Sequence, residues 1–82
     1  MNKAKLHEKI RRNHVGVRFS DLCRLAEAFG FGLNRQNGSH AFYANPDIRV
    51  TLNFQNKNGM AKPYQVRQLL DTIDRYSLNL ED

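Results

Sequence analysis

Only one cysteine, Cys23, stands among the 82 residues. It cannot close an intrachain disulfide, and it cannot build a zinc site, which needs clustered Cys or His ligands. A reducing compartment follows, and the chain is expected to be cytoplasmic. The opening Met1-Asn2-Lys3-Ala4-Lys5-Leu6-His7 lacks the apolar run of a signal peptide. No segment approaches the roughly 20 apolar residues that span a bilayer, so no membrane anchoring is expected. Phosphate-loop patterns such as GxxxxGK[ST] and GxGxxG are missing too, which argues against nucleotide-dependent chemistry. Acids are scarce where they would matter: between Gly30 and Leu70 the only one is Asp47. A metal-dependent nuclease wants several clustered carboxylates. Neither a metal nor a small-molecule cofactor is therefore expected. There is no repeat and no low-complexity stretch.

What is present is positive charge. Thirteen Lys and Arg against eight Asp and Glu leave a formal net charge of +5 and a pI near 9.8. Six basic residues lie between Lys3 and Arg18 against one acid, Glu8. Such a balance favours a polyanionic partner, nucleic acid ahead of an anionic membrane or an acidic protein. A solvated basic surface kept for solubility is the plainer alternative. The composition, 40% hydrophobic and 26% charged, is that of a globular chain. Its length allows one compact domain, residues 1–82, in which 1–13 reads as a helical extension.

Hydrophobic periodicity divides the chain. Leu6 and Ile10 put a thin apolar stripe on a peripheral helix over 2–12. A second helix, 19–31, carries Leu22, Leu25, Ala26 and Phe29 at helical spacing. Ser20 is its expected N-cap, Asp21 suits its first turn and Gly30 its stop, while Cys23 beside the stripe reads as a small apolar filler. The period then turns strand-like over 32–36, 39–44 and 48–54. Asn37-Gly38 is the hairpin signal between the first two strands, and Asn45-Pro46-Asp47 is the turn before the third. Val50, Leu52 and Phe54 alternate with Arg49, Thr51 and Asn53, the mark of a strand with one wet face. A polar loop fills 55–62. Pro63 opens a helix over 63–76 on a stripe of Val66, Leu69, Leu70, Ile73 and Tyr76, and the tail 77–82 offers Leu78 and Leu80 to pack back. The fold class is α+β: a three-stranded antiparallel sheet with helices on one face.

Two constellations could carry chemistry. In Gly38-Ser39-His40, glycine lets a ligand approach the backbone, a free turn N–H can hold a phosphate oxygen, and an imidazole exchanges protons near neutral pH. Together they suit capture of a phosphodiester with a base near the ribose 2′-hydroxyl, and such a base accelerates cleavage by about 10²–10⁴-fold. A structural histidine at a strand start is the alternative. Alternation puts His40 on the face of Phe42 and Ala44; if Phe42 meets the helices, His40 lies at the rim of the packed layer. In Lys62-Pro63-Tyr64-Gln65-Val66-Arg67, a helix N-terminus offers N–H groups to phosphate, flanked by Lys62 and Arg67, while Tyr64 can stack on an unpaired base or bond a phosphate. An ordinary helix start with solvated charges explains it equally well. His7 and His14 have no ligand-spaced partners and read as solvent-exposed.

The segments Val17-Arg18-Phe19-Ser20-Asp21-Leu22, Phe29-Gly30-Phe31, Arg35-Gln36-Asn37-Gly38-Ser39-His40 and Lys62-Pro63-Tyr64-Gln65-Val66-Arg67 resemble the HicA-type toxins of bacterial toxin–antitoxin pairs. The resemblance covers roughly 17–78, with Gly-Ser-His its most specific element. It implies a fold like the double-stranded-RNA-binding domain, α-β-β-β-α, with the N-terminal helix as an addition. It also implies a metal-independent endoribonuclease, an mRNA interferase acting on single-stranded mRNA and blocked by a HicB-type antitoxin. By this carry-over His40 is the catalytic histidine, framed by Gly38 and Ser39. Arg35, Lys62, Tyr64 and Arg67 are candidate RNA contacts. Many shorter members have a second histidine on or after the third strand. Here that region reads Thr51-Leu52-Asn53-Phe54-Gln55, so no general acid is assigned. A non-catalytic RNA-binding module on the same surface is the alternative function.

Overall fold

The computed structural model describes residues 2–81; Met1, and Asp82 at the end of the tail, lie outside the described residues. Helix α1 is Lys3–Arg12. It starts where the Asn2 side chain accepts the Lys5 N–H at 2.8 Å, and its last turn carries Lys9, Arg11 and Arg12, cations that suit the negative end of a helix. The stripe is thin, as its spacing foretells, but the helix is not peripheral. Leu6 and Ile10 are each 2% exposed and belong to the same core as the rest of the molecule.

Helix α2 is Phe19–Ala28. Ser20 is not its N-cap. Arg18 takes that position in extended conformation, with no side-chain cap bond. The reason lies across the sheet: Arg18 bridges Met60, the Phe19 N–H donates to the Gly59 carbonyl at 2.9 Å, and the Ala61 N–H donates to Val17 at 2.9 Å. A neighbouring strand thus satisfies one of the orphan donors of the helix start, which leaves a serine cap no task. At the other end Gly30, φ +93°, closes a Schellman motif, its N–H reaching Glu27 at 3.1 Å while the Phe31 N–H reaches Ala26 at 3.0 Å. The helix therefore stops short of residue 31.

The sheet has four antiparallel strands in the order β1-β2-β3-β4, one more than the periodicity predicts. They are β1 Gly32–Asn37, β2 His40–Asn45, β3 Val50–Lys57 and β4 Met60–Ala61. Asn37 pairs with His40, so the two-residue turn is Gly38-Ser39, one position later than expected. Only its first residue has positive φ, +60° at Gly38, the requirement of a type II′ turn. The next connection is longer than the expected turn and runs over 46–49, with Asn45 as its anchor. Buried Asn45 accepts the Asp47 N–H at 3.1 Å and donates to the Phe29 carbonyl at 3.3 Å. The supposed polar loop is a hairpin. β3 runs on to Lys57 and turns at Asn58-Gly59, both with positive φ (53° and 86°), the type I′ geometry.

Helix α3 is Pro63–Arg75, with Pro63 in the first turn as expected. Val66, Leu69, Leu70 and Ile73 are buried, but Tyr76 is exposed, so the stripe ends one turn early. In the tail Leu78 packs against the core while Leu80 stays exposed. One hydrophobic cluster joins all three helices to Ala41, Tyr43 and Phe54 of the sheet. The other face of the sheet is open.

A histidine on the open sheet face

Which face His40 occupies follows from β3. Phe54, 0% exposed, must meet the helices, and residues directly opposite in an antiparallel pair share a face. The register pairs Ala41 with Phe54 and Tyr43 with Leu52, so Ala41, Tyr43 and Asn45 point inward. His40, Phe42 and Ala44 are turned outward. The rim position does not arise, because Tyr43, not Phe42, is the aromatic that enters the core, where its ring lies 5.5 Å from that of Phe54.

His40 is half-buried and held. Its Nδ1 lies 3.0 Å from Oδ1 of Asn53, a neighbour on β3. An amide oxygen can only accept, so Nδ1 is the donor in this contact, and in the neutral form of the ring the lone pair is on Nε2. Directly opposite His40 is Gln55. The Gln55 side-chain amide approaches Ser39 Oγ at 3.4 Å, while the Asn56 N–H donates to the Ser39 carbonyl at 2.8 Å. Ser39 thus ties the turn to β3 as well as framing the histidine.

The start of α3 is joined to the same place by Gln65, a residue that composition and periodicity pass over. It is 2% exposed. Its Oε1 accepts the Gln55 N–H at 2.7 Å, and its Nε2 donates to the Tyr64 hydroxyl at 3.2 Å. Ser39, His40 and Tyr64 are therefore linked through Gln55 and Gln65. Arg35 lies on the open face, its guanidinium 4.7 Å above the ring of Phe42. Lys62 caps α3 and Arg67 lies exposed on it, but among the described residues no hydrogen bond joins either to the hairpin. Among the described residues, none of Arg35, Lys62 and Arg67 is in an ion pair.

The other two histidines are not simply solvated. His14 Nδ1 lies 3.5 Å from the Ile10 carbonyl. The His7 ring meets Phe29 edge-on at 4.8 Å, and its Nε2 accepts from Arg11 Nε at 2.9 Å. Burial, and then the Arg11 charge, hold the His7 pKa below its ordinary value. Arg11 also grips Asp74 of α3 through both guanidinium ends. Cys23 is buried as expected, beside the Tyr43 hydroxyl, and burial pushes both groups' pKa values up. A hollow of about 150 Å³ between α1 and α2 is lined by Leu6, Ile10 and Val17 and does not reach the open face. Among the described residues no three His, Cys, Asp or Glu side chains gather as a metal site, and no helix is long and apolar enough to cross a membrane.

The fold and the site define a small α+β protein whose open, cation-bearing sheet face presents one tethered imidazole. No curated protein and no solved structure matches the chain. The family model described as HicA toxin of bacterial toxin-antitoxin matches residues 19–74, and the chain belongs to that family. It is accordingly a toxin of a toxin–antitoxin pair, a class whose partner is an antitoxin protein. The matched span runs from α2 into α3 and leaves out α1.

Proposed function

We propose that this toxin is a metal-independent endoribonuclease that cleaves single-stranded mRNA, with His40 as its catalytic base. The observation that carries the reading is the outward imidazole, fixed through Nδ1 by Asn53 with Nε2 free on the open face. In the proposed step, Nε2 takes the proton of a ribose 2′-hydroxyl. The 2′-oxygen attacks the adjacent phosphorus, the P–O5′ bond breaks, and the departing 5′-oxygen takes a proton from water while His40 later returns its own to solvent; the products are a 2′,3′-cyclic phosphate and a 5′-hydroxyl. The strands β1, β2 and β3 contain no Asp or Glu, so no carboxylate of these strands repels the phosphodiester. Gly38 and Ser39 place the backbone of the turn against it, and Arg35, Lys62 and Arg67 supply cations along its path, with Tyr64 as a further contact. A HicB-type antitoxin would inhibit by covering this face.

The test is a cleavage assay on unstructured RNA in EDTA. Native protein should cut it and His40→Ala should not, and growth arrest on expression should vanish in the same variant while its circular dichroism stays native. Full toxicity of His40→Ala would overturn the assignment. One observation favours a second reading, RNA binding without cleavage: residues Thr51 to Gln55 offer no second histidine as a proton donor. That reading expects RNA retention by native protein, no cut ends, and little change of affinity in His40→Ala.

A further inference from the structure

Resting on that reading, we propose that Phe42, with Arg35 above it, is the platform on which an unpaired RNA base stacks beside the phosphodiester presented to His40. Phe42 is the only aromatic residue on the open face of β1, β2 and β3. β1 has none, and Tyr43 and Phe54 are turned into the core. An aromatic ring at a wet position forgoes the burial that usually stabilises it. Here the ring is only partly covered, and its cover is the planar guanidinium of Arg35, which is weakly hydrated and stacks on rings and bases alike. Arg35 faces Phe42 directly across β1 and β2, and its charge is uncompensated by any ion pair among the described residues.

The placement relative to His40 is what points to a ligand. The two residues are i, i+2 on one strand, roughly 7 Å apart along it. Asn53 serves both: it pairs across the ladder with Phe42 and accepts from His40 Nδ1. A nucleotide laid along β2 can therefore stack its base on the Phe42 ring in place of the Arg35 guanidinium, which moves to the phosphate, while the neighbouring phosphodiester meets His40. Bases have π-faces of every sequence, so the platform selects for unpaired strands and not for a particular base. A duplex keeps its bases stacked inside and cannot use it. Charge complementarity completes the case, since the ring carries the Arg35 cation, in no ion pair among the described residues, and no carboxylate stands in the three strands.

The experiment uses the full-length protein and a 2′-O-methylated single-stranded oligonucleotide carrying 2-aminopurine, which cannot be cleaved by 2′-oxygen attack. Stacking should quench the fluorophore, and the same sequence as a duplex should show no quenching. Phe42→Ala should lose the quench and weaken binding about 5- to 150-fold, the range expected for one stacked base. Phe42→Tyr should restore both; Phe42→Leu, which keeps an apolar side chain but no ring, should not. The salt dependence of binding should be unchanged in Phe42→Ala, and in Arg35→Ala its slope should fall by about one. Native quenching and affinity in Phe42→Leu would overturn the platform, as would an alanine variant that is merely less stable yet binds normally. The two proposals fail separately. His40-dependent cleavage with Phe42-independent binding sinks the platform alone, whereas Phe42-dependent quenching without cleavage of ordinary RNA sinks the nuclease alone.

Discussion

Replacing Asn53 with alanine removes one hydrogen bond and tests what it does. The 3.0 Å contact to His40 Nδ1 is a single side-chain hydrogen bond, with a net contribution to stability of about 0.5–1.5 kcal/mol. The fold should survive, because Asn53 points away from the helices. The larger effect is expected on rate. Without the amide oxygen the ring rotates freely and the proton distributes between Nδ1 and Nε2, so the basic nitrogen is misplaced or protonated part of the time. Losing the base altogether costs about 10²–10⁴-fold; losing only its orientation should cost about 10- to 100-fold. Single-turnover cleavage with saturating enzyme reads the chemical step, and binding of uncleavable RNA reads affinity. Asn53→Ala should lower the first and leave the second near native. In His40→Ala the further loss of Asn53 should change nothing, since the two act as a unit. Asn53→Asp supplies a charged acceptor that favours the imidazolium, so its pH–rate profile should move to higher pH. A merely structural Asn53 would produce none of these kinetic signatures. Native single-turnover rates in Asn53→Ala would refute the reasoning.

Three further outcomes follow from the same geometry. Gly30→Ala should destabilise by about 1–2 kcal/mol, read as a lower urea midpoint: φ is +93°, and an added Cβ would meet the Glu81 carboxylate at 2.8 Å and the buried Asn45 amide at 3.2 Å. An unchanged midpoint would discount the left-handed cap. Gln65→Ala should strand the Gln55 N–H and cost about 1–3 kcal/mol, with cleavage impaired beyond the stability loss because the start of α3 is no longer tied to the strand opposite His40; a loss confined to stability would deny that link. Acid should loosen α1. His7, held low by burial and then by Arg11, and Asp74, held low chiefly by its hydrogen bond to Arg11, both have folded pKa values below their unfolded ones. Each therefore stabilises the fold above its ordinary value, 6.5 for His7 and 3.8 for Asp74, and that contribution is lost as pH falls through the folded value. Thermal unfolding of the native chain should weaken below about pH 6.5, and His7→Gln should flatten the first part of that decline; parallel curves would refute it.

The elements that periodicity could reveal are those with a long apolar face. α2 and α3 announce themselves through Leu22, Leu25, Val66, Leu69 and their neighbours, and β3 through Val50, Leu52 and Phe54. β4 escapes for a physical reason: it is two residues long, and only Ala61 is buried, so it has no pattern to show. Its one signal is Asn58-Gly59, the same dipeptide as Asn37-Gly38, but with no apolar run behind it. The Ser20 cap fails on a different ground. A helix N-cap is a local motif, and here a tertiary contact between Phe19 and Gly59 satisfies the donor first. Two apolar residues look insufficient to bury α1, yet in a chain this small Leu6 and Ile10 suffice to close the core, and Arg11 extends the grip to α3.

The orientation of the site was legible in principle, though not from β2 alone. Phe42-Tyr43 places two aromatics on opposite faces, and either could have been the buried one. The choice belongs to the partner strand. Once Phe54 is inward, antiparallel pairing turns Ala41 inward and exposes its neighbours His40 and Phe42, so the clean alternation of Val50, Leu52 and Phe54 already contained the answer. What alternation cannot disclose is which wet-face residues are occupied. Asn53 and Gln55 look like solvated filler in the sequence, yet one orients the imidazole and the other links the turn and α3 to the strand beneath it. Polar side chains acquire such roles through register and turn length. A one-residue slip in the Gly38-Ser39 turn would put His40 under the helices, where its ring would need a buried partner instead of a substrate. The positive φ at Gly38 is thus as much a condition of the proposed chemistry as the imidazole itself.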